Sequence, residues 1–301
     1  MLLGAAKSGT TSMADYLAQH PDVYFSSRKE PNFFALKDED LTHPGPVDSD
    51  VLFALHYSRS LVNLGDYLES YAAAKTQKIR ADASVRYLYY PKAAERIAEA
   101  VPDARLVAIL REPVARLYSH YCMNVQYQVE PLPLIEALEA EQDRIAAGWG
   151  WDWHYASIGC YSKQIERYLK FFDQEQLMVI LYDDFLENPL GTYHEICTHL
   201  GISTSYTPNM SKRGKVASAP KNLRLDRWLH WPSRSRSLTE SILPNRVSSL
   251  FLSKLASINS TSVPALDQST RDKLMPVFDE DIAALEHLLG RNIPWRKYIQ
   301  I

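Results

Sequence analysis

The stretch LLGAAKSGTTS, from Leu2 to Ser12, sets Gly4 and Gly9 between a short apolar run and an amphipathic segment. This is the G-x-x-x-x-G spacing of a phosphate-binding loop. A glycine loop that leads from a strand into a helix leaves several backbone N–H groups unpaired at the helix start. Together with the helix dipole, they favour a phosphate. Ser8, Thr10 and Thr11 add hydroxyl donors to the same region. A nucleotide kinase loop has lysine directly after its second glycine. Here Thr10 occupies that position and the lysine is Lys7, inside the loop. A cation there lies at the outer edge of the bound anion, where it can neutralise charge building up on a leaving group.

Apolar runs alternate with amphipathic stretches along the rest of the chain, the pattern of an α/β fold with a mostly parallel sheet. MLLGA, VYFSS, KIRADAS, ARLVAIL and LMVILY read as strands. TSMADYLAQH, PKAAERIAEAV, PVARLYSHYCMNV, PLIEALEAEQDRIAAG and YSKQIERYLKFF read as helices, as does RDKLMPVFDEDIAALEHLLG. Residues 37–60, rich in Asp, His and Pro, read as an irregular surface excursion. Residues 203–240 are polar and basic. From Ser211 to Arg236 there are eight Lys or Arg and one Asp, a local charge of +7 on a chain of net charge −3. An anion site is therefore a local feature, and the whole chain is no nucleic-acid binder. With 301 residues, 46% of them hydrophobic, the chain suits one domain spanning 1–301, and no linker divides it. Cys122, Cys160 and Cys197 are odd in number and far apart, so neither a zinc site nor a disulfide framework is implied. No secretory leader and no apolar stretch of about 18 residues is present, which reads as a soluble, cytoplasmic protein. Met1 lies directly on the first strand, so a few native residues are expected to precede it.

A second anion site is expected in REPVARLYS. Arg111 ends a buried strand, at the sheet edge where α/β folds bind ligands. Ser119 follows eight residues later, with Arg116 between them. Arg111 through its planar fork and Ser119 through its hydroxyl suit one phosphate. With the glycine loop, they describe a donor nucleotide carrying phosphate at both ends.

That pair of sites carries a resemblance. GAAKSGTTS resembles the 5′-phosphosulfate loop of sulfotransferases, and REPVARLYS resembles their 3′-phosphate motif. RKEPNFFAL and ADASVRYLYYP are similar to stretches of the heparan-sulfate type and its bacterial relatives. IGCYSKQIERYLKFF, LMVILYDDFLENP, NMSKRGKVASAPKN and LLGRNIPW follow the family's order over nearly the whole chain. The resemblance implies a P-loop-like three-layer fold, with a central, mostly parallel sheet flanked by helices. It implies 3′-phosphoadenosine 5′-phosphosulfate as donor and adenosine 3′,5′-bisphosphate as product. The acceptor would be a hydroxyl or amine, on a carbohydrate or other metabolite. Lys7 would bind the bridging oxygen, and Glu30 would be the general base. No metal is required, because lysine and backbone dipoles do that work.

The residues themselves also favour Glu30. It follows a strand, adjoins Lys29 and precedes the apolar PNFFAL, so half-burial would raise its pKa to a useful value. Asp82 is a reserve candidate, and Asp82, Ser84 and Tyr161 are expected at the acceptor, with Tyr87 beside them in the cleft. Lys212, Arg213, Gly214 and Lys215 suit a mobile loop over the 3′-phosphate. Asp82 stands where the family has mostly Glu, Val85 where it has Pro, and Ala83 lacks the lysine of the heparan-sulfate enzymes. Trp149, Trp151 and Trp153 alternate and suit either stacking on a sugar or lipid or packing, so none is taken as a site residue. Two other readings stay open. One is a kinase using ATP and Mg²⁺, with Asp183 or Asp184 as metal ligand. The other is a nucleotide- or glycan-binding module without turnover.

Overall fold

The computed structural model describes residues 1–211, 218–220, 260–262 and 264–295. Strands β1 (Leu2–Gly4), β4 (Leu106–Leu110) and β5 (Leu177–Leu181) form a parallel sheet in the order β1-β4-β5. Strands β2 (Val23–Phe25) and β3 (Ile79–Ala81) pair in parallel beside it. A parallel bridge between Leu2 and Ala83 joins the two, so the strands run β2-β3-β1-β4-β5 with β1 central.

The sequence LVAIL explains why β4 lies deepest. All five residues are buried, as in a strand covered on both faces. Leu106, Ala108 and Leu110 join one apolar cluster, and Val107 and Ile109 join another. Successive strand side chains point to opposite faces, so these two clusters are the two inter-layer cores of a three-layer fold. The first holds α5 (Arg86–Tyr89), α6 (Ala93–Ala100) and α10 (Ser162–Leu169) through Tyr87, Ile97, Ile165 and Tyr168. The second holds α1 (Thr10–Leu17) through Met13 and Leu17, each contributing on the order of 2 kcal/mol by burial. It also holds α12 (Pro189–His199) through Tyr193, Ile196 and Cys197. Helix α7 (Pro113–Gln126) starts on a firm cap. The Glu112 carboxylate accepts from the amides of Val114 and Ala115, and Pro113 occupies the first turn.

Three expectations change. Residues 37–60 are not wholly irregular: α3 (Ser49–His56) lies there, capped by the Asp48 side chain and anchored by buried Leu52. PLIEALEAEQDRIAAG forms two helices, α8 (Leu134–Glu139) and α9 (Glu141–Ala146), divided at Ala140. The last helical stretch is also two, α13 (Gln268–Leu274) and α14 (Asp279–Leu289). Pro276 lacks the N–H an unbroken helix needs, and a 3₁₀ turn over Met275–Phe278 takes its place. The short helices α2 (Phe33–Leu36), α4 (Leu64–Glu69) and α5 went unread, since four to six residues carry little periodic signal. Strand β6 (Ser218–Pro220) pairs antiparallel with β7 (Ser260–Ser262), and α11 (Tyr182–Glu187) follows β5 directly.

Candidate active site

The glycine loop turns at the C-terminal end of β1. Lys7 and Gly9 both have left-handed backbones, with φ of 69° and 78°. Glycine takes that conformation freely, whereas lysine loses about 1–2 kcal/mol there. Surrounding contacts hold Lys7 in place. Arg111 Nη1 donates to the Lys7 carbonyl at 3.0 Å, and the Tyr161 hydroxyl donates to the Arg111 carbonyl at 2.8 Å. The Arg111 guanidinium lies 5.1 Å from the centre of the Tyr182 ring. The same ring crowds Gly9, where an added Cβ would fall 2.7 Å from Tyr182 Cε2. The ends of β4 and β5 and the start of α10 thus brace the loop from one side.

Several polar groups in the loop lack partners. Ser8 is fully buried, and its Oγ has none. An orphaned buried hydroxyl costs about 1–3 kcal/mol, which a ligand's acceptor atoms would recover. No side chain caps α1, and the Thr10 and Thr11 amides have no partner among the described residues. Among the described residues the Lys7 ammonium reaches the Met123 sulfur, at 3.6 Å, a weak acceptor. No carboxylate lies within ion-pairing distance of it among the described residues. Burial, then the Arg111 and Arg116 cations, push its pKa below the ordinary lysine value. The loop is therefore a donor-rich, cationic cradle whose fit is to an anion.

Ser119 is half-buried on α7, one turn before Met123, so it shares the helix face that meets Lys7. Arg116 lies one turn before Ser119 and His120 on the same helix. It is fully buried, donating to the Tyr155 carbonyl and contacting His120 Nδ1 at 3.4 Å, and its cation helps to lower the Lys7 pKa.

Glu30 sits across from α1. It is half-buried, with φ of 51°, and precedes Pro31 and Asn32, whose φ is 54°. Burial pushes its carboxyl above the ordinary glutamate value, and the Lys29 and Arg86 cations oppose the shift. A cavity of about 230 Å³ is lined by Glu30, Arg28 and Lys29 on one wall and by Thr10, Thr11 and Ala14 on the other. Glu30 and the first turn of α1 therefore face one space.

Other expected site residues lie elsewhere. Ala83 and Val85 line the cavity, whereas Asp82 and Ser84 alternate with them and point into the protein, 1% and 0% exposed. Tyr87 and Tyr161 are likewise buried, with their hydroxyls bonded to Asp82 and to the Arg111 carbonyl. None of the four is placed to touch an acceptor. Lys212, Arg213, Gly214 and Lys215 lie outside the described residues. Asp183 accepts from Trp295 Nε1 at 3.1 Å, and Asp184 pairs with Arg291 at 3.8 Å, so both support the C-terminal segment. Sequence reasoning missed Tyr182 and Met123. The first was signalled by an aromatic at a strand's C-terminal end, and nothing in the sequence signalled the second.

The model of the family described as "Sulfotransferase family" matches residues 1–206. Human heparan sulfate glucosamine 3-O-sulfotransferase 3B1 is 23% identical over 207 residues, 69% of this chain and 47% of that protein. The mouse bifunctional heparan sulfate N-deacetylase/N-sulfotransferase 3 is 24% identical over 215 residues, 68% of this chain and 22% of that protein. The chain thus spans about half, or less, of the length of these relatives. The crystal structure of a sulfotransferase from Alicyclobacillus acidocaldarius superposes with a TM-score of 0.74 at 29% identity. The match covers 98% of this chain and 97% of that one. With a family model matching more than half of its length and a three-layer fold that superposes on a bacterial sulfotransferase, the chain belongs to the sulfotransferase family.

Proposed function

We propose that the chain transfers the sulfuryl group of 3′-phosphoadenosine 5′-phosphosulfate to a hydroxyl or amine of a carbohydrate acceptor. The observation that carries this reading is the cradle itself: among the described residues, Ser8 Oγ is buried and unpartnered, the Thr10 and Thr11 amides are unpaired, and the Lys7 ammonium has no counter-ion. The donor, when bound, supplies a sulfuryl group already activated by its link to phosphate. The loop amides and hydroxyls bind and orient the 5′ end, and Lys7 offsets charge on the departing phosphate. Arg111 and Ser119 grip the 3′-phosphate, with Lys212, Arg213, Gly214 and Lys215 added from outside the described residues. Glu30, desolvated and facing the same cavity, accepts the acceptor's proton. The names of the relatives, both of which cite heparan sulfate and one of which cites its glucosamine, support an amino-sugar glycan as acceptor.

Thermal shift tests the donor. At 100 times Kd, adenosine 3′,5′-bisphosphate should stabilise the fold by about 2.7 kcal/mol. A larger shift with ATP–Mg²⁺ would favour the kinase reading. Bisphosphate binding with no transfer to any glucosamine-containing oligosaccharide would favour a module without turnover. Arg111→Ala should weaken adenosine 3′,5′-bisphosphate more than adenosine 5′-phosphosulfate, and equal losses would argue against a 3′-phosphate grip.

A further inference from the structure

Glu30 and Asn32 both have left-handed backbones and flank a proline. Such a turn persists only where its surroundings over-determine it. The determinant here is a buried chain of hydrogen bonds. The Asn32 amide donates to Ser84 Oγ at 3.0 Å, and Ser84 Oγ donates to Asp82 Oδ1 at 2.7 Å. Asp82 Oδ2 accepts from the hydroxyls of Tyr87, at 2.7 Å, and Tyr67, at 3.1 Å. Because the Ser84 proton is committed to Asp82, its lone pairs face the Asn32 amide. Asp82 is itself locked to the central strand, its carbonyl accepting from the Leu2 amide at 2.8 Å, and Ser84 N–H donates to the Leu2 carbonyl at 3.2 Å. A second tie comes from the segment after α3. The Leu61 amide donates to the Pro31 carbonyl at 2.8 Å, and Asn32 Nδ2 donates to Ser60 Oγ at 3.1 Å.

We infer that Asp82 and Ser84 are positioning residues that transmit the geometry of β1, the strand carrying the phosphate loop, to the turn that carries Glu30. This rests on Glu30 being the base of the proposed transfer, and it assigns Asp82 and Ser84 a role other than acceptor contact. Loop and base would then be registered through one short path: Leu2, then Asp82 and Ser84, then Asn32. Full burial of Asp82 suits an acceptor of three hydroxyls that meets no ligand. The alternation along this segment supports the division of labour, since Ala83 and Val85 line the cavity while the residues beside them hold the turn.

The test combines kinetics with a titration that needs no turnover. Ser84→Ala removes the acceptor of the Asn32 amide. With a glucosamine-containing oligosaccharide as acceptor, it should lower kcat roughly ten- to hundredfold, with the Kd for adenosine 3′,5′-bisphosphate unchanged. In a Glu30→Gln background the same substitution should cause no further loss, because Ser84 acts through Glu30. Independently, the ¹³C-carboxyl titration of Glu30, assigned with Glu30→Gln, should move down towards the ordinary value in Ser84→Ala as the turn loosens and water enters. Lys7, Lys29, Arg59 and Arg86, together with Asp82 and Tyr127, are the charged and titratable groups facing Glu30, and none of them is altered by that substitution. If Ser84→Ala does not fold, Ser84→Cys, whose thiol is a poor acceptor for the Asn32 amide and leaves every charge facing Glu30 in place, should shift the titration in the same direction. Full additivity in the double variant, or an unmoved Glu30 titration, would overturn the inference. Wild-type turnover in Glu30→Gln would instead remove the base reading, and the titration would still decide the structural link.

Discussion

Gly9→Ala perturbs the loop at its tightest point. Gly9 has φ of 78°, a conformation that costs an L-residue about 1–2 kcal/mol. The new Cβ would also fall 2.7 Å from Tyr182 Cε2 and 3.0 Å from Phe185 Cε1. Both rings are packed, so one or both must shift, at a further cost of about 1–3 kcal/mol. The sum, roughly 2–5 kcal/mol, corresponds to a Tm lowered by about 3–8 °C in a chain of this size. The effect should reach the nucleotide site as well. The Tyr182 ring lies beneath Arg111, which holds the Lys7 carbonyl, so displacing the ring displaces both cations. Calorimetric titration with adenosine 3′,5′-bisphosphate should show Kd weakened at least about tenfold, or 1.4 kcal/mol. Tyr182→Leu in the same chain relieves the ring clash but not the backbone strain, so it should restore part of the Tm while binding stays weak. A Gly9→Ala variant with unchanged Tm and unchanged Kd would refute both the close approach and the coupling.

Four further outcomes follow from the electrostatics. Glu30→Gln should lower transfer about 10²–10⁴-fold yet raise Tm at neutral pH. The folded carboxyl is raised above its unfolded value, so the folded state binds more protons and loses stability as pH rises through that window; glutamine removes the buried charge. For the same reason the acid limb of the rate profile should have its midpoint above the ordinary glutamate value of 4.5. Lys7→Met should abolish transfer while raising Tm at neutral pH, because the folded ammonium is held below its ordinary value by burial and by Arg111, and a thioether side chain removes that charge. His56, His120 and His154 are all held below the ordinary value of 6.5, chiefly by burial. The unfolded chain therefore binds more protons, and denaturant midpoints should fall as pH drops below about 6.5, with His120→Gln flattening that slope.

The strands and main helices were legible because their signals are dense. LVAIL is apolar throughout, and α1 carries Met13 and Leu17 one turn apart on its buried face. The loop was legible because its glycines and hydroxyls do their work through the backbone, and backbone geometry follows local sequence. Helix α3 was missed because its single buried residue, Leu52, gives no periodicity, and its polar, proline-containing approach reads as a loop. Asp82 and Ser84 are expected near the acceptor because a carboxylate and a hydroxyl beside a strand end resemble a site, although a structural hydrogen bond is the favoured reading of Asp82. Only the fold brings Tyr67, Tyr87 and the Asn32 amide to them and closes them from solvent. Glu30 is expected as the base from the resemblance and, less strongly, from its neighbours in sequence, but its left-handed backbone and the cavity it shares with Thr10 and Thr11 are tertiary facts.

A crystal structure with adenosine 3′,5′-bisphosphate bound tests the central claim most directly. The 5′-phosphate should lie within hydrogen-bonding distance of Ser8 Oγ and the Thr10 and Thr11 amides, with Lys7 Nζ turned from Met123 towards it and the 3′-phosphate on Arg111. A nucleotide lodged away from the loop, with Ser8 Oγ still unpartnered, would contradict it.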